Sequence, residues 1–130
     1  MNLADIHTVI IITPRVKKRD DIIEALTKFF GFKKQEINFV YYYDHLDFIN
    51  NNKESDALVI SCDDSIQSLT EHKILTVIRK KFNDLLIFHI TDVFMYRKID
   101  REFYGAINEF LVYNQGFSTD FYRKLNNWYV

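Results

Sequence analysis

Five short apolar runs recur along this chain, and a stripe of apolar residues at helical spacing follows each of them. The runs are 8–12 (TVIII), 37–43 (INFVYYY), 57–62 (ALVISC), 85–91 (LLIFHIT) and 110–113 (FLVY). The first and third are apolar at every successive position or nearly so, the pattern of strands covered on both faces of a parallel sheet. The second is mixed and suits a sheet edge. The first helical stripe is Ile22, Ile23, Leu26, Phe29 and Phe30, with Gly31 as its expected stop. Asp44 is placed to cap a short helix through Leu46 and Ile49 that ends in the asparagines at 50–52. A long helix from 65 to 82 carries Ile66, Leu69, Ile74, Leu75, Ile78 and Phe82. Met95, Ile99 and Phe103 recur every four residues as a fourth helix ending at Gly105. Ser118 is placed to cap the last one, with Phe121, Leu125 and Trp128 on one face.

Parallel strands need crossover helices, and those crossovers are right-handed. The predicted fold is therefore α/β, one domain over 1–130. It is a five-stranded parallel sheet in 2-1-3-4-5 order with helices on both faces, the flavodoxin-like arrangement. In such sheets the working site lies beyond the carboxyl ends of the strands. Here that means 13–15, 62–64, 91–92 and 113–114.

Composition removes several alternatives. Three Gly and one Pro in 130 residues cannot furnish the many tight turns of a sandwich or propeller. They also leave little room for a Gly-rich phosphate loop. One Cys allows no internal disulfide and fits a reducing compartment. No signal peptide is recognisable, and the longest apolar runs fall far short of the ~20 residues that span a bilayer. The expected location is the cytoplasm, with no membrane partner. A net charge of −1 gives no overall field for nucleic acid, so direct nucleic-acid binding is not expected.

Several stretches in order then resemble the receiver domain of bacterial response regulators, of the single-domain chemotaxis type. LTKFFGF at 26–32 is similar to the end of the receiver's first helix, and LVISC at 58–62 to the strand that delivers its phosphoacceptor. ILTVIR at 74–79 is similar to the end of its third helix. Thr91 falls where receivers keep a Ser or Thr. Gly105–Ala106 followed by 110–113 is similar to their Gly-Ala and aromatic-Leu-Val-Lys stretch, with one extra residue between. The stretch 117–128 resembles the final helix.

The resemblance implies four chemical parts: an acidic pair that holds Mg²⁺, an Asp nucleophile, a Ser or Thr that reads the phosphoryl group, and a Lys at the end of strand five. In this chain the acidic pair is replaced by Thr13–Pro14 or Pro14–Arg15. The nucleophile position falls on Cys62, or on Asp63 or Ser61 if the alignment slips by one. The Lys position falls on Tyr113 and the Pro after it on Asn114. Only Thr91 matches. The expected degenerate pocket is Pro14, Arg15, Cys62, Asp63, Thr91 and Tyr113, with no metal, no cofactor and no catalysis. Asp20 and Asp21 could restore a carboxylate only by reaching back from inside the first helix.

The remaining polar features have plain structural readings. Cys62 reads as a buried thiol, with Arg15 the one cation placed near it. His89 reads as a core histidine with its polar atoms satisfied, and the four His show no metal-ligand spacing. Asp63–Asp64 read as a helix cap, the basic run 15–19 as a solvated loop, and the tyrosines at 41–43 as edge-strand packing. Tyr96, Tyr104, Tyr122 and Tyr129 lie off the core stripes of the fourth and fifth helices. Exposed tyrosines of this kind mark protein interfaces.

The expected function is a pseudo-receiver: a signalling or regulatory domain that cannot be phosphorylated. It would bind a protein partner or a second copy through the face of helix four, strand five and helix five. The alternative is a degenerate domain similar to the IIB domains of the sugar phosphotransferase system, which carry a Cys or His acceptor right after the first strand.

Overall fold

The computed structural model describes residues 2–65, 73–91 and 105–130. Strands β1 (Thr8–Ile12), β2 (Asn38–Tyr42), β3 (Leu58–Cys62), β4 (Leu86–Thr91) and β5 (Glu109–Val112) form one sheet. Its order is β2-β1-β3-β4-β5, and every neighbouring pair is parallel. The expected topology is therefore observed, with strand ends within two residues of the predicted ones. The described helices are α1 (Val16–Phe32), α2 (His45–Asn51), α3 (Lys73–Lys81) and α4 (Phe117–Asn127). The fourth predicted helix, with Met95, Tyr96, Ile99, Phe103 and Tyr104, lies outside the described residues, as does 66–72.

Successive strand residues point to opposite faces, so each strand feeds two cores. One core joins Val9, Ile11, Leu58, Ile60, Cys62, Phe88 and Ile90 to Ile22, Leu26 and Phe29 of α1 and to Phe121 and Leu125 of α4. The other joins Ile10, Ile12, Val59 and Ile87 to Phe48 of α2 and to Leu75 and Ile78 of α3. β1 and β3 are buried along their whole length, as a strand covered on both faces must be.

Three local expectations are corrected. Gly31 does not stop α1. The helix runs through it to Phe32, and the chain turns at Lys34, whose φ is +55°. Buried Phe29 and Phe30, just before Gly31, outweigh the weak helix propensity of one Gly. The basic run 15–19 is not a loop, because α1 begins at Val16 and takes Lys17, Lys18 and Arg19 into its first turns. Ser118 does not cap the last helix. Gly116 is the N-cap residue, and the Asn114 side chain accepts from the Gly116 amide at 3.0 Å to shape the entry. Asp44 does cap α2, accepting from Asp47 N at 2.8 Å.

Arg79 closes the amino end of the sheet. Its guanidinium donates to the carbonyls of Ala106 (3.0 Å), Asn83 (3.1 Å) and Leu85 (2.6 Å), and to Asn108 Oδ1 at 2.7 Å. Asn108 Oδ1 also accepts from the Ile87 amide at 2.8 Å, which ties α3, β4 and the approach to β5 into one unit. No described helix is long and apolar enough to cross a membrane.

Candidate functional site

Because all strands are parallel, Thr13, Pro14, Arg15, Cys62, Asp63, Thr91 and Tyr113 all follow or end strands at one edge of the sheet. The pleat then sorts them by face. Cys62 is fully buried and packs with the α1–α4 core. Asp63, one residue on, is 3% exposed and bonds to residues of the opposite face. One Asp63 carboxylate oxygen accepts from His89 Nε2, and the other accepts from the Thr91 hydroxyl. Each carboxylate of the Asp63–Asp64 pair engages side chains from other elements, and the helix start it was expected to cap lies outside the described residues.

Asp64 faces the β1–α1 junction. Its Oδ1 accepts from Thr13 Oγ1 at 3.0 Å, and Thr13 Oγ1 in turn accepts from the Arg15 amide at 3.2 Å. Its Oδ2 meets Lys18 Nζ at 3.1 Å and Arg15 Nε at 3.7 Å, as charge contacts and not as aligned hydrogen bonds. Lys18 is only 2% exposed. Arg15 is therefore not the one cation at this edge, and Lys18 is the buried one.

Tyr113 completes the edge. Lys18 Nζ lies over its ring, 4.7 Å from the centroid. The Tyr113 hydroxyl donates to Asp21 Oδ2 at 2.6 Å, and Asp21 also pairs with Lys17 at 3.5 Å. Asp21 does reach the pocket from inside α1, and it does so as an acceptor for tyrosine. A cleft of about 580 Å³ opens beside it, lined by Asp21, Glu24, Lys28, Tyr113, Asn114 and Tyr122 among others.

A second set of polar side chains lies behind Asp63. Ser61 Oγ is 2.6 Å from His45 Nε2 and 2.8 Å from His89 Nδ1. His45, Ser61 and His89 are each no more than 1% exposed. His89 is thus a satisfied core histidine, stacked on Phe110 with ring centroids 6.5 Å apart. Among the described residues, no group of three or more His, Cys, Asp or Glu is placed to hold a metal ion.

Sequence reasoning missed Lys18 and His45 as members of this edge, named Ser61 only as an acceptor position under a slipped alignment, and read Asp64 only as part of a helix cap. The signal for Lys18 was its place on the α1 stripe, four residues before Ile22 and in line with Ala25, Leu26 and Phe29. Ser61, Asp63, His89 and Thr91 alternate along two neighbouring strands, so the period of two puts all four on one face. His45 had no such signal, because its partner lies on a strand sixteen residues away.

Comparison with solved structures places this architecture. The signal receiver domain of a DNA-binding response regulator from Colwellia psychrerythraea matches with a TM-score of 0.68 at 11% identity, over 94% of this chain and 97% of that one. The fold is that of a response-regulator receiver domain. The response regulator TrrA of Thermotoga maritima, in complex with Mg²⁺ and BeF, matches with a TM-score of 0.61 at 15% identity, over 92% and 99%. In its complex with the histidine kinase ThkA it matches with a TM-score of 0.58 at 18% identity, over 92% and 98%. A pilus assembly-related protein from Burkholderia pseudomallei matches equally well, with a TM-score of 0.67 at 4% identity over 100% and 96%. No family model and no curated protein matches the sequence. At these identities the likeness is one of fold, and function must be argued from the site.

Proposed function

We propose that this chain is a receiver-like signalling domain that has given up aspartyl-phosphate chemistry and acts through protein contact. The observation that carries the reading is the buried Lys18–Asp64 pair at 3.1 Å. Phosphoryl transfer rests on positioning and charge neutralisation, with a divalent cation bridging protein carboxylates and phosphoryl oxygens. At this edge the charge of Asp64 is already met by an ammonium belonging to the chain itself. Both oxygens of Asp63 already accept from His89 and Thr91. Cys62 faces the opposite core, and Thr13–Pro14–Arg15 offers no carboxylate. These donors do not fit a divalent cation.

Tyr113 supports the same reading. The resemblance puts a strand-five lysine at this position, reaching for a phosphoryl group. Here the cation comes from α1 and is held between a carboxylate and an aromatic face. Treatment with acetyl phosphate and Mg²⁺, followed by intact-mass measurement, tests the proposal. The expected spectrum contains unmodified chain only. A phosphoryl adduct on most molecules overturns it.

One exposed surface supports a protein partner. TrrA is known in a complex with the histidine kinase ThkA. In this chain Phe32, at the end of α1, is 87% exposed. With Phe29, Lys33, Tyr122 and Asn126 it lines a cleft of about 440 Å³ between α1 and α4. Tyr122 of α4 and Tyr129, just past its end, lie on this side. Both rings pack near Phe29, at 6.4 and 5.8 Å, and the Tyr129 hydroxyl donates to Gln35 Oε1 at 2.9 Å. We therefore place the contact surface of these two tyrosines on the α1 side of the last helix, moved from the helix-four side expected from sequence. Tyr96 and Tyr104 lie outside the described residues.

A further inference from the structure

We propose that the outer edge of β2 pairs with the same edge of a second copy of this chain, joining two sheets through an antiparallel, twofold-symmetric ladder. β2 is the outermost strand on its side of the sheet. The Asn38 amide donates to the His7 carbonyl at 2.8 Å, and the Tyr42 carbonyl accepts from the Thr13 amide at 3.1 Å. Backbone groups alternate sides along a strand, so the even-numbered residues of β2 face β1. Phe39 and Tyr41 therefore turn their N–H and C=O groups outward. Among the described residues, no backbone group of the chain pairs with them there.

Such an edge is ordinarily guarded, because it is a template for another strand. Natural proteins place Lys, Pro, a bulge or a very short strand there. The opposite edge follows that rule: β5 has 4 residues, begins with Glu109, and has its Phe110 carbonyl taken by Lys124. The stretch 37–43 (INFVYYY) contains neither charge nor proline and consists mostly of strong strand formers. Arg19 of α1 stacks on Tyr41, 4.8 Å from the ring centroid, which keeps the ring on the α1 face and leaves the backbone edge clear.

Register and charge select the occupant. Two copies of one edge related by a twofold axis run antiparallel. Outward-facing residues must meet outward-facing residues, so the axis passes at Phe39, Val40 or Tyr41. An axis at Val40 sets Glu36 of one copy against Asp44 of the other, like charge against like. An axis at Tyr41 sets Asn38 against Asp44 and shortens the ladder. An axis at Phe39 sets Lys34 against Asp44 at both ends, since these two residues lie five positions before and five after Phe39. Among the described residues, neither Lys34 nor Asp44 is in an ion pair within its own chain. Lys34 stands at the turn before the strand and Asp44 is the N-cap of α2, so each new pair lies just beyond the ladder's end.

With the axis at Phe39, Phe39 faces Phe39 and Ile37 faces Tyr41. These are the aromatic and β-branched cross-strand pairs that stabilise sheets, and they accompany about six new backbone hydrogen bonds. Phe39 and Ile37 are only partly buried in the single chain, so both have area left to cover. A net charge of −1 gives no overall repulsion between copies. The contact shares no residue with the α1–α4 cleft beside Phe32, so a paired copy still presents that cleft.

Sedimentation velocity across a dilution series of the full chain, with amide hydrogen exchange on the same samples, tests the pairing. The expected result is a reversible monomer–dimer equilibrium that stops at the dimer. The Phe39 and Tyr41 amides should become protected as the dimer fills, whereas the Asn38, Val40 and Tyr42 amides, held by β1, should be protected throughout. Tyr41→Pro deletes one outward donor and leaves the bonds to β1 in place, so it should weaken association by roughly tenfold or more. If that variant fails to fold, Lys34→Glu provides the second arm. It sets like charges against each other at both ends and should weaken association by about threefold to tenfold at low salt, with the loss shrinking as salt is added. A chain that stays monomeric at millimolar concentration, a dimer whose Phe39 and Tyr41 amides exchange as in the monomer, or growth past the dimer would overturn the proposal. Capture of an unrelated extended peptide by a chain that does not dimerise would overturn it as well, by giving the edge to another occupant.

Discussion

Lys18 lies across the face of Tyr113, with its Nζ 4.7 Å from the ring centroid and 3.1 Å from Asp64 Oδ2. An ammonium this deeply buried is tolerated only with a paired charge and further partners. Tyr113 supplies a negative π-face on one side, and Asp64 supplies the counter-charge. The tyrosine is itself fixed, because its hydroxyl donates to Asp21, three residues after Lys18 on the same helix. Strand β5 and helix α1 are thus clamped at the edge where the receiver fold ordinarily works.

The first prediction concerns that clamp. Lys18→Ala removes one member of a buried pair and leaves Asp64, whose side chain is 8% exposed, with only Thr13 and a more distant Arg15. Breaking such a pair from one side costs about 3 kcal/mol. Lys18→Met combined with Asp64→Asn removes both charges and keeps volume, so urea denaturation should show more than half of the loss recovered. A single Lys18→Ala variant as stable as the parent would show that the pair contributes nothing.

How far the sequence spoke for itself can be judged from these same residues. The parallel α/β sheet was legible because five apolar runs separated by helix stripes need right-handed crossovers, and 2-1-3-4-5 is one of the common orders such a sheet takes. The edge positions were legible because a parallel sheet sends every strand end to one side. What a linear reading lost was which side chain pairs with which. Lys18 looked like one cation in a solvated basic run, yet its register on α1 turns it inward with Ile22 and Leu26. Cys62 and Asp63 looked interchangeable as acceptor positions, yet the pleat sends them to opposite cores. His45 gave no signal, since a hydrogen bond between a short helix and a strand leaves no periodic trace. Tyr122 and Tyr129 were expected to have no burial, yet both pack against the α1–α4 core, Tyr129 from beyond the end of α4. They remain partly buried because α1 covers that flank, with Phe29 beside both rings.

The second prediction concerns alkaline pH. Burial holds the Tyr42 phenol above its ordinary value of 10.0, and the carboxylates of Asp47 and then Glu54 push the same way. The folded state therefore binds the phenolic proton more tightly than the unfolded state. Its contribution to stability is complete below pH 10.0 and is lost as pH rises through the folded value. Absorbance titration should include a step, that of Tyr42, above the ordinary phenol value. Tyr42→Phe should delete that late step, and Asp47→Asn should move it to lower pH. A tyrosine titration unchanged in Tyr42→Phe would assign the late step elsewhere.

The third prediction concerns association. Phe32 is 87% exposed, so its ring gains almost nothing from the chain's own fold. Covering a phenylalanine side chain is worth roughly 1.5–3 kcal/mol, and that gain is open only to a partner. Phe32→Ala should leave the urea midpoint unchanged and weaken binding, or self-association, by on the order of tenfold to a hundredfold. Tyr122→Ala should weaken binding as well, but at some cost in stability, because its ring packs against Phe29. Lys33 stands over the Tyr129 ring at 4.7 Å, on the flank of the same cleft. A partner with a carboxylate near its apolar anchor would meet that ammonium. Lys33→Glu should then slow association and invert its salt dependence, whereas Lys33→Ala should only reduce it. Sedimentation and pull-down measurements separate these outcomes. If Phe32→Ala and Tyr122→Ala both bind and associate like the parent, the α1–α4 cleft is not the contact surface, and Val16, Tyr43 and Leu46, each more than half exposed, become the side chains to test.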